Sequence, residues 1–91
     1  MPAVKFTTHL EKFFPGVTQG VTVEAGTVAE VVSALDRQFP GLADYLVDEH
    51  GVLRKHVNIF IDEELIHDRQ RLSDPVTNNN RVYVFQALSG G

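Results

Sequence analysis

Only one long stretch of this chain, residues 27–39, repeats its apolar residues at helical spacing, and the segments around it alternate in short runs. The fold is therefore a sheet with one main helix to cover it. Val28, Val31, Val32, Leu35 and Phe39 fall on one stripe, with Glu30, Ser33 and Arg37 facing away. Thr27 stands three residues before Glu30, the spacing at which a hydroxyl and a carboxylate satisfy backbone donors at a helix start. Pro40 disfavours helical geometry at Phe39 and ends the helix there.

Before the helix, residues 4–8 alternate, Val4, Phe6 and Thr8 on one side and Lys5 and Thr7 on the other, as a half-buried strand requires. After a loop containing Pro15 and Gly16, residues 20–24 alternate again with Val21 and Val23 pointing one way, which predicts a hairpin. Past the helix, Leu42, Tyr45 and Leu46 suit one short helical turn packed under the sheet. Residues 57–61, Val-Asn-Ile-Phe-Ile, have the β-branched richness of a buried strand, and Asp62, Glu63 and Glu64 turn the chain into a brief strand at Leu65 and Ile66. Residues 72–76 read as a tight turn, Asn78 to Asn80 tolerate left-handed geometry, and Val82, Tyr83, Val84 and Phe85 form a last strand. This order allows one mixed α+β sheet of four to five strands. If the last strand lies beside the first, the fold is the ubiquitin-like β-grasp; otherwise it is another small α+β roll.

At 91 residues the chain has room for one domain, expected at 1–86, and a tail at 87–91. Its formal net charge of -4, from 8 basic and 12 acidic residues, leaves no positive stripe for nucleic acid or anionic lipid. No apolar run approaches the roughly 20 residues needed to span a bilayer, and residues 1–5 do not open a basic and then apolar leader, so a cytoplasmic location is expected. Cysteine is absent, which excludes disulfides, thiolate metal sites and a cysteine nucleophile.

The hairpin, the helix capped at Thr27, the strand at residues 56–61 with its acidic turn, and a last strand running into Gly90-Gly91 resemble the sulfur-carrier proteins of the MoaD/ThiS type, members of the ubiquitin-like group. The likeness covers most of the chain; its specific parts are the Gly-Gly end and the Val-Asn-Ile strand. Members often carry proline before the glycines, where this chain has Gln86, Ala87 and Leu88. The segment at 41–55 is longer than in the minimal thiazole carriers, so the chain stands nearer the molybdopterin synthase small subunits and the carriers of cysteine biosynthesis.

The resemblance implies that the chain is a protein co-substrate rather than an enzyme. An ATP-dependent activating enzyme would join the Gly91 carboxylate to AMP, and a sulfur donor would displace the AMP to leave a thiocarboxylate for a sulfur-accepting biosynthetic enzyme. The ATP belongs to that partner, and the chain itself holds no cofactor and no metal. The residues agree on physical grounds. A terminal carboxylate is ionised near neutrality and needs activation, and Gly90 and Gly91, lacking Cβ, can thread a narrow channel after Leu88 and Ser89. Alternatives are a dedicated small subunit of a molybdopterin synthase-like complex and a ubiquitin-like modifier joined to lysines.

On the last strand Val82 and Val84 share one face and Tyr83 and Phe85 the other, and Phe60 opposes Val57, Ile59 and Ile61 likewise. If the helix covers the valine face, Phe60, Tyr83 and Phe85 make an aromatic docking patch on the open face; for Phe85 a core position is the competing reading. Phe13 and Phe14, beside Pro15 and Gly16, are expected to cap one end of the core, with a second contact surface as the alternative. His9, His50, His56 and His67 have no spacing that gathers them on a metal. The acids at 62–64 read as a solvated turn that, with Asp44, Asp48, Glu49 and Asp68, gives a surface for a basic partner.

Overall fold

The helix forms where its pattern and caps place it. In the computed structural model, which describes residues 1–6, 10, 11 and 13–86, α1 spans Val28–Gln38 with Thr27 as its N-cap. The Thr27 hydroxyl accepts from the Glu30 N–H at 3.2 Å, while the Glu30 carboxylate reaches one residue further back than the usual box and accepts from the Gly26 N–H at 2.6 Å. Gly41, at φ 94, takes the left-handed turn into α2 (Leu42–Leu46), and Asp36 accepts from the N–H groups of Gly41 and Ala43, both at 3.1 Å.

The strands are β1 (Ala3–Phe6), β2 (Val21–Thr22), β3 (Val57–Ile61), β4 (Glu64–Leu65) and β5 (Arg81–Gln86), with a 3-10 turn at Val17–Gln19. They form one five-stranded sheet in the order β2-β1-β5-β3-β4. β5 lies in the middle, parallel to β1 and antiparallel to β3. That placement decides between the two topologies left open by the element order, and the fold is the β-grasp of ubiquitin.

Val28, Val31, Val32, Ala34 and Leu35 of α1 are buried against Val4, Val57, Ile59, Val82 and Val84 of the sheet, and Leu42 and Leu46 of α2 complete the core. No polar or charged side chain among the described residues is buried there, so apolar burial alone drives its assembly. Two aromatic expectations differ. Phe14 is buried at 8% exposure, but Phe13 is 58% exposed and stacks on the half-exposed Tyr45 with ring centres 5.5 Å apart. Leu42 and Leu46 fill the space under the sheet, which leaves Tyr45 on the outer side of its short helix.

The connection from β4 to β5 wraps the start of α1. The carbonyls of Asp74 and Leu72 accept from the N–H groups of Val28 and Ala29, at 3.0 and 2.9 Å, satisfying donors that a helix start leaves without partners. Leu72 does so at φ 53 with its side chain buried at 3% exposure. The asparagines at 78–80 tolerate left-handed geometry but do not adopt it; among the described residues the non-glycine residues that do are Leu72 and Asp62. Burial of Leu72 and its carbonyl's role at the helix start offset a backbone penalty of about 1 kcal/mol.

Candidate functional site

With α1 on the valine face, strand alternation sends the side chains of Phe60, Tyr83 and Phe85 to the opposite, open face. Phe60 pairs across the strands with Tyr83, and Asn58 with Phe85. Phe85 stands edge-on to Phe60 at 5.6 Å and parallel to Tyr83 at 6.3 Å, within the range of favourable aromatic contact. Phe85 is 45% exposed, which settles its two readings in favour of the open face. The expected strand at Leu65 and Ile66 begins one residue earlier, at Glu64. Leu65 therefore pairs with Phe60 and adds a 45% exposed side chain to the patch, while Ile66 turns into the core.

The three aromatics line an open cleft of about 830 Å³ whose rim is Ile61, Asp62, Glu63, Glu64, Asn79 and Arg81. Asp62 is occupied structurally. At φ 57 it makes the turn between β3 and β4, and its carboxylate accepts from the Arg81 N–H at 2.9 Å and the Asn80 amide at 2.7 Å. Glu63 and Glu64 remain exposed. Asp48 and Asp68 also serve loops: the N–H groups of Val52 and His50 hold the Asp48 carboxyl below its ordinary range, and the Ser73 hydroxyl and the Arg71 N–H do the same for Asp68.

At the other end of the sheet, Gln86 closes β5 opposite Val57, and its side chain lies 3.2 Å from the His56 ring. Arg69 braces this end. Its guanidinium donates to the carbonyls of Arg54 and Val57 and to the Asn58 side chain, at 2.7, 2.9 and 3.2 Å. Sequence reasoning missed Arg69, because its acceptors lie 11 to 15 residues away and no local pattern announces them. The tail residues Leu88, Ser89, Gly90 and Gly91, the expected boundary at 87 and His9 lie outside the described residues. Among the described residues no group of three or more His, Asp or Glu could hold a metal ion, and no helix is long and apolar enough to cross a membrane.

The ThiS family model matches residues 4–91. The sulfur carrier protein CysO of Mycobacterium tuberculosis is 26% identical to this chain over 78 residues, 84% of each. The fold resembles the Amycolatopsis orientalis BexX/CysO complex structure at a TM-score of 0.85, with 22% identity and full coverage of both chains. It also resembles small archaeal modifier protein 1 of Haloferax volcanii at 0.73, with 21% identity over 94% of this chain and 95% of that one. With the β-grasp topology and the match across residues 4–91 in hand, the chain belongs to the ThiS family of ubiquitin-like sulfur carriers.

Proposed function

We propose that the Gly91 carboxylate is the group on which this protein carries sulfur. A carboxylate oxygen attacks the α-phosphorus of ATP in an activating enzyme, pyrophosphate leaves, and a sulfur nucleophile then displaces AMP from the acyl carbon to give a thiocarboxylate. The chain supplies the acyl group and partner enzymes supply the catalysis, so it acts as a co-substrate. The accepting enzyme then takes the sulfur in a biosynthetic reaction. Likeness to CysO favours cysteine biosynthesis as the destination, and the BexX/CysO complex is a precedent for assembly of a related carrier with a partner protein.

The observation that carries this reading is the position of β5. It is the central strand, it ends at Gln86 five residues before Gly91, and it places Tyr83 and Phe85 on the open face beside that end. Five residues reach at most about 17 Å, so a partner that handles Gly91 must also meet the surface around Gln86 and Phe85. Incubation with the cognate activating enzyme, ATP and sulfide should add about 16 Da to the intact mass, the difference between sulfur and oxygen. An unchanged mass under conditions that consume ATP would sink the proposal.

The fold likeness to small archaeal modifier protein 1 favours a second reading, in which the same activated carboxyl joins a lysine amine. Tryptic mapping of the producing cell's proteins for lysines carrying the branch of residues 82–91, left by cleavage after Arg81, distinguishes the two.

A further inference from the structure

Phe13 and Tyr45 stand outside the core and away from the open face of the sheet. Phe13 is 58% exposed and Tyr45 36%, and their rings stack at 5.5 Å. Phe14 meets the edge of Tyr45 at 5.3 Å and closes the core beneath them, so the outer ring of Phe13 is not needed to seal it. The hydrogen bonds of Arg54 place this pair. Its N–H donates to the Leu46 carbonyl and its Nε to the Asp44 carbonyl, both at 2.9 Å, which holds it against the turn of α2 that carries Tyr45. Its own carbonyl accepts from the Val57 N–H at 3.0 Å, across a bend made by Lys55 and His56. Val57 in turn pairs with Gln86. Tyr45 thus lies three steps of about 5 to 7 Å each from the residue where β5 ends.

This end of the molecule is also basic. Arg54 and Lys55 are exposed, and the Arg69 guanidinium is held by neutral oxygens of Arg54, Val57 and Asn58. Among the described residues the ion pairs are His50 with Glu49 and His67 with Glu64, and no lysine or arginine takes part in one. The carboxylates of Asp48 and Glu11 are taken up by N–H groups of their own loops. Asp44 is the exposed acid next to Tyr45. A chain of formal net charge -4 thus gathers Arg54, Lys55 and Arg69 where its central strand ends.

Resting on the reading of Gly91 given above, we infer that Phe13 and Tyr45, with Arg54 and Lys55 beside them, form a second contact for the enzyme that activates Gly91. That enzyme presents an apolar recess to the rings and carboxylates to the cations. Reach selects this occupant first. The tail spans at most about 17 Å, so an enzyme that holds Gly91 sits against this end of the fold. A specific interface takes about 800 Å² from each partner, a patch about 30 Å across. Centred on Gln86, such a patch includes Phe85 on one side and Tyr45 on the other. Charge selects it second. The tail brings one anion, its carboxylate, toward another, ATP; cations at the root of the tail offset that repulsion and favour an acidic rim on the enzyme. Contacts on both sides of the tail fix the angle at which it enters.

Initial rates of pyrophosphate release by the cognate activating enzyme, with ATP saturating and the carrier varied, test this contact. Phe13→Ser should raise the KM for the carrier by about tenfold and keep kcat within about twofold, because it removes binding without touching the reacting atoms. Lys55→Glu should raise KM by about fivefold in about 50 mM salt and by only about twofold in about 500 mM, where surface charges are screened. Both side chains are exposed, so the melting temperatures of the variants should match that of the wild type. Glu24 is exposed at the opposite end of the sheet, next to Val23, whose N–H bonds to the Pro2 carbonyl before β1. Adding Glu24→Lys to Lys55→Glu restores the net charge there and should leave the raised KM as it is. A wild type that releases no pyrophosphate sinks the reading of Gly91 and this contact with it. A wild type that is activated while either Phe13→Ser or Lys55→Glu keeps its KM, or a KM restored by Glu24→Lys, overturns the contact alone.

Discussion

Val84 and Phe85 are neighbours on the central strand, yet Val84 is 1% exposed and Phe85 45%. The same contrast runs through β3, where Val57 and Ile59 are sealed under α1 while Asn58 is exposed and Phe60 half-exposed. One face of the sheet is aliphatic and closed, and the other is aromatic and open, although both are built from alternating residues of the same strands. Aliphatic side chains interdigitate under a helix without needing a polar partner. Aromatic rings in an open cleft keep area available for a second surface, and Tyr83 keeps a hydroxyl that can stay wet. The covered face holds the fold together, and the open face is the one proposed above for docking.

The sharpest way to break that division is to truncate one residue on each side. Ile59→Ala should lower the free energy of unfolding by about 2 to 5 kcal/mol, as for other fully buried aliphatic truncations. Phe85→Ser should lower it by about 1 kcal/mol or less, the value of its ring contacts. Denaturant melts of the two variants make the comparison, and equal losses would mean that the open face is structural after all.

A smaller effect is expected at the edge of the covered face. Thr27→Ala removes the acceptor for the Glu30 N–H and should destabilise the protein by about 1 kcal/mol. Amide hydrogen exchange should quicken in the first turn of α1 and leave the pairing of β3 with β5 unchanged. If exchange in the sheet quickened equally, the two faces would not be energetically separable.

The smallest effect concerns neither face but the loops beside them. The Glu11 carboxyl accepts from the Thr18 hydroxyl and from the N–H groups of Gly16 and Thr18, and is held below its ordinary value of 4.5. Asp48 and Asp68 are likewise held below 3.8. Groups with lowered folded values bind fewer protons in the native state, so their stabilisation is complete above those ordinary values and is lost as the pH falls through the lower folded ones. Melting temperature should therefore drop on acidification below about pH 4.5, and Glu11→Gln should flatten part of that slope. The order of the covered and open faces in the truncation experiment should not change with pH, because none of these carboxylates lies on either face.

Much of this architecture was legible in local chemistry. The helix and its cap follow from a stripe of valines and leucines behind Thr27, and β3 and β5 from runs of β-branched and aromatic residues that alternate. The aromatic patch followed from the same alternation, given one assumption about which face the helix covers. Three features were not legible. The edge strand starts at Glu64 and leaves Ile66 to turn into the core, because a two-residue strand has no period to fix its bounds. Phe13 lies outside because Phe14, Leu42 and Leu46 already fill that part of the core. Leu72 takes a left-handed conformation that its residue type opposes, because its side chain and its carbonyl are both needed at the start of α1.

Binary pattern, capping residues and glycine placement belong to neighbours in the chain, so the sequence by itself determined that there would be one covering helix, a sheet of alternating strands, and a chain ending in two glycines without any cysteine. Only the tertiary structure decided that β5 enters between β1 and β3 and that Arg69 braces the end where β5 finishes. Those arrangements rest on contacts between residues far apart in the chain, whose closure depends on the shared core rather than on any local preference.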